Sequence, residues 1–414
     1  MTRVFQETPT DRDVAADAVP DWPRRARDLA DAVAAVVPDP DRQWLDAVRA
    51  VPRHVLVPRF CPWQGSAGPC PPKDVLVDGA DPAQRDRWLA AVYADETLVT
   101  QITRVQLPDD VGGGTLCRPT SSSTLPSLLV RMLTDLDVAA GMRVLEIGTG
   151  TGYTAALLCA RLGDRAIASI DLHPGLIDAA RRRLAAIGYH PALATGDGAD
   201  GMPAPAPYDR IITTVSAPLV PTAWIDQLRP GGLLQVDLRG DAGGRIALLN
   251  HDRPGVLSGR FAAHPGNFMP MRIDPDYPLR AGHNLSVTID VRGTRHTHST
   301  IDLAAFDHPG FRLVLHLRFP SARGFVRQPD GHRRVLEESD GSWAEVHPAS
   351  TPGSPHPVRY AGPRNLWATV EDAYRRWTRA GRPGPARLGL TVTADQHELW
   401  VDSPDTVLAH HPTP

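Results

Sequence analysis

Hydrophobic residues recur along the chain with two periodicities, that of strands and that of helices. The two alternate most clearly from Arg143 to about Leu238. Short apolar runs such as RVLEI, AIASID and ALAT are separated by segments in which apolar residues return every three or four positions. Buried strands that alternate with helices are typical of a doubly wound α/β sheet. We therefore predict strands at 143–147, 166–171 and 192–195, and a fourth within YDRIITTVSA.

The region before this sheet has helical periodicity broken by proline and glycine. Helices are predicted over 22–37, 41–51 and 81–93, and another begins at Pro126, since proline is favoured in a first helical turn. The segment 112–124, GGGTLCRPTSSST, is expected to be a loop. Residues 1–20 are expected to be disordered and 21–140 to form a helical and loop region on the substrate side.

Beyond Pro270 the rhythm changes. The segments NLSVTIDV, FRLVLHLRF, LGLTVT and HELWVDS alternate apolar and polar residues, which predicts antiparallel strands. A helix is predicted at 366–380, and the whole of 275–414 is predicted to be a separate α+β module. Four tryptophans of this module are predicted to lie in its core: Trp343, Trp367, Trp377 and Trp400.

Composition narrows the classes of partner. A net charge of −3 and a pI near 6.6 provide no basic field for nucleic acid. The four cysteines have irregular spacing, which indicates neither a zinc site nor a disulfide framework, and the pair His296 and His298 fits strand alternation better than metal binding. No apolar run resembles a signal peptide or a membrane span, so a cytoplasmic protein without membrane contact is expected.

The candidate ligand site begins at the glycine-rich stretch EIGTGTGY, residues 146–153. The dinucleotide fingerprint requires glycine or alanine where Tyr153 stands, so a nicotinamide cofactor is disfavoured. Glu146 completes E-x-G-x-G-x-G, the pattern of class I S-adenosylmethionine (AdoMet) methyltransferases. Asp171, roughly 20 residues after the glycines, is predicted to bind the ribose, and Asp197 with Gly198 the adenine end. The alternatives are a helix N-cap for Asp171 and a turn residue for Asp197.

The acceptor of the methyl group is constrained by the segment after the fourth strand. That segment contains Thr213, Thr214, Val215 and Ser216, with no Asn/Asp-Pro-Pro-Tyr to hold an amino group, so nitrogen methylation is disfavoured. The sequence also lacks the cluster of acidic residues that would indicate a metal-dependent methyltransferase, so no metal is expected. A carboxylate acceptor is ionised at neutral pH, because its reference pKa is about 3.9, and it needs no general base.

The chain resembles the protein-L-isoaspartate (D-aspartate) O-methyltransferase family over residues 44–272. The resemblance rests on WLDAVRAVPRHVLVPRF, YADETL, RVLEIGTGTGYTAALL, GDGADGMP, YDRIITTVSAPLVPTA and NFMPM. It implies a class I AdoMet methyltransferase sheet with an N-terminal helical segment and the C-terminal α+β module, in which 141–272 is the AdoMet-binding core. It implies AdoMet as cofactor, S-adenosylhomocysteine as product, and a cofactor site made of Glu146, Gly148, Thr149, Gly150, Gly152, Tyr153, Asp171, Asp197, Gly198 and Thr214.

The family's Ser-x-Pro motif, whose serine holds the substrate carboxylate, falls on Thr124-Leu125-Pro126. The resemblance therefore implies that Thr124 orients the carboxylate, and the preceding Ser122 and Ser123, with Ser121, can share this work. The alternative for Thr124 is the N-cap of the helix that begins at Pro126. A packing role is predicted for Arg53 and His54.

Two departures from the family pattern concern the substrate. The chain has an insertion between YADETLV and Thr124, and the module after residue 272 is additional. The architecture with this module resembles variants associated with ribosomally made, modified peptides such as graspetides, lanthipeptides and lasso peptides, and the module 275–414 is predicted to help select the peptide. The main hypothesis is therefore esterification of an aspartate side chain in a macrocyclic precursor peptide, followed by aspartimide or isoaspartate formation. The alternatives are general isoaspartate repair and a non-catalytic peptide-binding or carrier protein on an AdoMet fold, and the oligomeric state stays open.

Overall fold

The computed structural model describes residues 4–6, 13–62, 76–106, 115–274, 293–327, 333–336 and 340–413. The chain divides into two compact units. The first comprises Met1–Thr214, Gln227–Arg229 and Met271–Pro278, and the second comprises Val215–Asp226, Pro230–Pro270 and Leu279–Pro414. The predicted boundary near residue 272 therefore differs from this division, because residues 230–270 group with the C-terminal part of the chain.

The first unit holds the predicted site. Its elements are β1 (Val4–Gln6), α1 (Trp22–Val36), α2 (Arg42–Ala50), α3 (Arg53–Leu56), β2 (Arg59–Phe60), β3 (Val77–Asp78), α4 (Arg85–Val92), β4 (Leu98–Gln106), β5 (Thr115–Ser123), α5 (Pro126–Asp135), β6 (Val144–Ile147), α6 (Tyr153–Leu162), β7 (Ile167–Asp171), α7 (Pro174–Ala186), β8 (Ala192–Thr195) and β9 (Tyr208–Ala217). The last three residues of β9 belong to the second unit. The helices and sheet strands predicted from periodicity are confirmed within a few residues.

A parallel sheet in the order β8-β7-β6-β9 forms the centre of the first unit. Every residue of β6 is buried, including Glu146, as expected of a strand covered by helices on both faces. In register, Ile147 of β6 faces Ile170 of β7 on one side and Thr213 of β9 on the other. The carboxyl ends of these strands therefore meet at one edge, where ligands bind in doubly wound sheets.

The segment predicted as a loop over 112–124 is instead the strand β5 from Thr115 onward, so that prediction is wrong for its described part. β5 pairs antiparallel with β4 from Leu98↔Ser123 to Gln106↔Thr115, with register shifts around Gln101. β4 is rich in β-branched residues, and its backbone groups form hydrogen bonds with those of β5 although β5 contains Pro119 and three consecutive serines. β1 adds a third strand through Phe5↔Arg104, which differs from the disorder predicted for residues 1–20.

The second unit is mainly antiparallel. Its elements are α8 (Thr222–Gln227), β10 (Leu228–Gly240), β11 (Gly243–Arg253), β12 (Val256–Phe261), β13 (Arg295–Ser299), α9 (Pro309–Arg318), β14 (Arg323–Arg327), β15 (Arg333–Leu336), β16 (Trp343–Val346), β17 (His356–Ala361), α10 (Leu366–Arg379), β18 (Leu388–Val392), β19 (Gln396–Val401) and β20 (Val407–Pro412). Gln227–Arg229, at the end of α8 and the start of β10, belong to the first unit. Strands β10, β11, β12, β18, β19 and β20 pair in that order. A five-stranded sheet has the order β13-β17-β16-β15-β14.

Two predictions for this unit have different outcomes. The four tryptophans are buried, which confirms their core role. The strand predicted at FRLVLHLRF is wrong, because these residues form α9: Pro309 stands at its start and His308 accepts a hydrogen bond from the Gly310 N–H. Apolar residues at both alternate and helical spacings made the periodicity ambiguous, and the start signals decide it. The strand predicted at NLSVTIDV lies outside the described residues.

Cys117 on β5 is disulfide-bonded, a bond that the irregular cysteine spacing did not indicate. Its partner lies outside the described residues. The spacing of cysteines along a sequence does not reveal which strands and loops meet in space, which explains why the bond was not indicated. None of the helices in the described ranges is both long and apolar enough to cross a bilayer.

Candidate functional site

The glycine-rich turn joins β6 to α6 at the carboxyl edge of the parallel sheet. Gly148 and Gly150 have φ values of 102° and 52°, which a residue with a side chain adopts only under strain. The Gly148 N–H donates to the carbonyl of Ile170, so the turn is fixed to the end of the neighbouring strand β7. Gly152 is the residue before α6, and the turn therefore presents backbone to the crevice at a helix N-terminus.

Asp171 ends β7 beside this turn. One carboxylate oxygen accepts from the Gly150 N–H at 2.9 Å and the other accepts from the His173 N–H at 3.1 Å. Burial raises the pKa of Asp171, and the two backbone N–H groups oppose this shift. The structure thus brings together the glycine turn and the predicted ribose acid. His173, not Asp171, is the N-cap of α7.

Glu146 and Thr149 support the turn from inside the sheet. The Ser169 hydroxyl donates to Glu146 Oε2 at 2.6 Å and lies 2.6 Å from the Thr149 hydroxyl, and all three residues are buried. Burial raises the pKa of Glu146 to about 8. These contacts give Glu146 and Thr149 a role in holding the turn. Ser169 was not predicted, and a serine within an otherwise apolar strand was its only signal.

Thr214 of β9 and the turn Gly196-Asp197-Gly198 after β8 also lie at the carboxyl edge of the parallel sheet. The Thr214 hydroxyl donates to the carbonyls of Gly148 and Ile147 at 2.6 and 3.2 Å. Asp197 accepts from the Ala199 N–H at 2.9 Å, which agrees with the turn role. A Cβ on Gly198 would lie 2.8 Å from Cγ2 of Ile147, so any side chain there requires its neighbours to shift.

Two further residues at this edge, Met271 and Arg272, were not predicted as site residues. Met271 Sδ would lie 3.1 Å from a Cβ on Gly198. Arg272 donates to the Thr120 carbonyl at 3.4 Å, and the charge of Asp171 opposes the burial that lowers the pKa of Arg272. Met271 is the last residue of the NFMPM motif and Arg272 follows it directly, so the motif was the available signal.

The geometry fits AdoMet. The turn presents backbone in a conformation that excludes side chains, and a Cβ on Gly150 would lie 3.4 Å from the Ser122 carbonyl oxygen and 3.7 Å from Ser121 Oγ. A half-buried carboxylate, that of Asp171, stands at the neighbouring strand end, where ribose binds in this type of sheet. Tyr153 is buried, its hydroxyl has no hydrogen-bond partner within the described ranges, and burial raises its pKa to about 12.

The end of β5 meets this turn with four hydroxyl residues. Ser121 accepts from the Thr100 hydroxyl at 3.1 Å, and Ser123 accepts from Arg53 at 3.2 Å. Across the described residues, the hydroxyls of Ser122 and Thr124 have no partner, and both side chains are half-buried. The structure therefore leaves Ser122 and Thr124 as the available donors, whereas Ser123 already has a structural contact.

Thr124 is not the N-cap of α5, so that alternative is wrong. Leu125 is the residue before the helix and makes no side-chain cap. Asp95 accepts from the Ser127 N–H at 2.8 Å, and Thr97 accepts from the Leu125 N–H at 3.1 Å. The helix N-terminus is thus satisfied by residues of the YADETL segment.

Comparisons with known proteins concern the family of the chain. Residues 91–258 match the family profile Protein-L-isoaspartate(D-aspartate) O-methyltransferase (PCMT). The protein-L-isoaspartate O-methyltransferase of Parvibaculum lavamentivorans is 37% identical over 178 residues, which cover 42% of this chain and 78% of that protein. Protein-L-isoaspartate O-methyltransferase 1 of Archaeoglobus fulgidus is 40% identical over 195 residues, which cover 47% of this chain and 70% of that protein.

Other matches are shorter or more distant. The Xanthobacter autotrophicus protein-L-isoaspartate O-methyltransferase is 42% identical over 131 residues, which cover 31% of this chain and 58% of that protein. A solved protein-L-isoaspartate O-methyltransferase has a TM-score of 0.48 and 21% identity, with 89% of this chain and 96% of that chain covered. The identity and coverage of the Parvibaculum and Archaeoglobus relatives are the decisive findings. The chain belongs to the protein-L-isoaspartate O-methyltransferase family, and with it to the AdoMet-dependent carboxyl O-methyltransferases of class I fold.

Proposed function

We propose that this protein transfers the methyl group of AdoMet to a carboxylate of an aspartyl or isoaspartyl residue in a peptide or protein. One observation carries the proposal. The end of β5, with the unpartnered hydroxyls of Ser122 and Thr124, lies against the glycine turn, where a Cβ on Gly150 would come 3.4 Å from the Ser122 carbonyl oxygen. The hydroxyls that would donate to the substrate carboxylate are therefore close to the glycine turn that would bind the cofactor.

AdoMet supplies an electrophilic methyl group on a positively charged sulfur. A substrate carboxylate oxygen forms the new C–O bond while the C–S bond breaks, and the bonding pair stays on sulfur. No proton moves in this step, so a general base is unnecessary. The residues of the chain have two tasks: to bind the cofactor and to hold the carboxylate in line with the methyl group, which contributes roughly 7–11 kcal/mol to catalysis in well-oriented systems.

Thr124 and Ser122 perform the second task in this proposal. A hydroxyl that donates to a carboxylate forms a charge-assisted hydrogen bond, which is stronger than a bond between neutral groups. Asp171 and the glycine turn perform the first task. The hydrogen bond from the Gly150 N–H at 2.9 Å holds the acid against the turn, and the one from the His173 N–H at 3.1 Å fixes its second oxygen.

Steady-state kinetics with a linear isoaspartyl peptide tests the proposal. Thr124→Ser keeps the hydroxyl and is expected to retain activity, whereas Thr124→Val has a similar shape without it and is expected to lose at least tenfold in kcat/KM. AdoMet affinity, measured by calorimetry, should be the same in both variants. Equal kcat/KM for Thr124→Val and the parent would remove Thr124 from the carboxylate site and leave Ser122 as the donor.

We further propose a constrained aspartyl peptide as a second candidate substrate. The observation in favour is the β4–β5 hairpin, whose end lies at the glycine turn and which occupies the position of the insertion. An esterified aspartate is a strong electrophile, so the next backbone nitrogen closes a five-membered imide and releases methanol. Mass spectrometry of paired assays separates the candidates. A macrocyclic aspartyl peptide that passes from a methyl ester to a species lighter than the start by one water supports this substrate. Turnover of the linear isoaspartyl peptide alone supports repair.

A further inference from the structure

Arg53 is a fully buried cation between the end of β5, which leads into Thr124, and the start of α6 after the glycine-rich turn. Its guanidinium donates to the carbonyls of Val92, Ala94 and Glu96, each at 3.0 Å. It also donates to Ser123 Oγ at 3.2 Å and to the Thr124 carbonyl at 3.3 Å. One guanidinium therefore ties the segment after α4 to the end of β5.

The same guanidinium lies over the ring of Tyr153, 5.1 Å from the ring centroid. Tyr153 is the first residue of α6 and follows Gly152 of the cofactor turn directly. Arg53 thus contacts the loop that carries Thr124 on one side and the start of the cofactor helix on the other. Its carbonyl contact to Thr124 acts on the backbone, so it fixes where the Thr124 hydroxyl stands.

The chemistry of this contact requires arginine. Burial lowers the pKa of Arg53, while the nearby Tyr153 and Asp95 oppose that shift. All five hydrogen bonds go to neutral oxygens, and a planar fork with several donors can serve oxygens from two segments simultaneously. A lysine ammonium has three donors around one nitrogen and cannot reproduce this fork.

We infer that Arg53 is a positioning residue for methyl transfer: it sets the placement of Thr124 relative to the cofactor turn without contacting substrate or cofactor. The inference rests on the proposed function and adds the residue that holds its donor in place. The sequence predicted only a packing role for Arg53. The inference adds an effect on catalysis, because a residue that only packs would not change kcat in a folded variant.

The test compares two buried arginines. Arg53→Lys is expected to lower kcat at least tenfold and to leave the AdoMet dissociation constant within twofold of the parent. The matched control is Arg210→Lys, since Arg210 also donates to backbone carbonyls, those of Leu136, Asp137 and Asp209, beyond the other end of α5. If Arg53 only stabilises the fold, both variants will melt at lower temperature and keep parental kcat at a temperature where both are folded, and the inference fails.

A double-mutant cycle gives a readout that stability does not move. Arg53→Lys and Thr124→Val should be non-additive in kcat, because both disable the same hydroxyl. Additive losses would mean that Arg53 acts independently of Thr124 and would overturn the inference. A parent enzyme without turnover on either peptide would instead contradict the proposed function, so the two failures are distinguishable.

Amide hydrogen exchange tests the placement without any substrate. Arg53→Lys should exchange faster than the parent over 122–127, whereas Arg210→Lys should match the parent there. Should the lysine variant be unfolded, Ser123→Ala takes its place, since it removes one acceptor of Arg53 and leaves the other four. Parental exchange over 122–127 in the folded variant would overturn the inference whatever the activity.

Discussion

Asp171→Asn is the substitution whose consequences follow most directly from the geometry of the cofactor edge. Its two carboxylate oxygens accept from the N–H groups of Gly150 and His173 at 2.9 and 3.1 Å. Asparagine offers one oxygen and one NH₂ group, so one backbone N–H then faces a donor. A hydrogen bond to a charged group contributes about 1.5–3 kcal/mol, which is the expected loss in the free energy of unfolding.

The same substitution is expected to weaken cofactor binding. The carboxylate's remaining lone pairs are the predicted acceptors for the ribose hydroxyls, and loss of one charged acceptor at about 1.5–3 kcal/mol corresponds to roughly 10- to 150-fold in dissociation constant. Titration calorimetry with AdoMet and S-adenosylhomocysteine measures this. The matched control is Asp164→Asn, because Asp164 accepts one backbone N–H, from His190 at 3.0 Å, on an exposed turn. Parental affinity in Asp171→Asn, with the fold intact, would refute the placement of the ribose.

Three further outcomes are expected. Because burial raises the pKa of Glu146 from 4.5 to about 8, the native state keeps a proton that the unfolded chain has lost, so stability should fall between these pH values in the parent and not in Glu146→Gln. Denaturant unfolding at pH 5 and 8 measures it, and parallel profiles would contradict it. Gly198→Ala should destabilise by about 1–3 kcal/mol, since its Cβ would meet Ile147 at 2.8 Å and Met271 at 3.1 Å; an unchanged thermal midpoint would show that the turn adapts. Truncation after Ile273 should aggregate, because it strips β12 of its partner β18; a soluble, cooperatively unfolding product would show that the pairing is dispensable.

The sequence predicted those parts of the fold that depend on local pattern. The strand ends at Gly148, Asp171 and Asp197 follow from an alternation of strands and helices that is read within short windows. The contacts among them required only the rule that parallel strands end at one edge of the sheet. Family resemblance added Thr124, which no spacing rule would select.

Two of the errors, those on β5 and on the cap of α5, concern interactions between distant segments, and the error on α9 concerns an ambiguous local pattern. β5 was unpredictable because a segment with a proline and three consecutive serines becomes a strand only when β4 pairs with it. α9 was missed because its apolar residues satisfy both periods, and Pro309 with His308 decides between them. The cap of α5 comes from Asp95, 32 positions before the Ser127 N–H that it accepts, a distance no local signal covers.

The central claim concerns the atom that receives the methyl group. An isoaspartyl peptide, incubated with the enzyme and AdoMet that carries a labelled methyl group, should gain one methyl on the isoaspartyl carboxylate, located by tandem mass spectrometry. Mild base should release that label as methanol, because a methyl ester hydrolyses whereas an N-methyl group does not. The same peptide with the carboxylate replaced by a carboxamide should gain no label. Base-stable label, or label transferred equally to the carboxamide peptide, would contradict carboxyl methylation by this site.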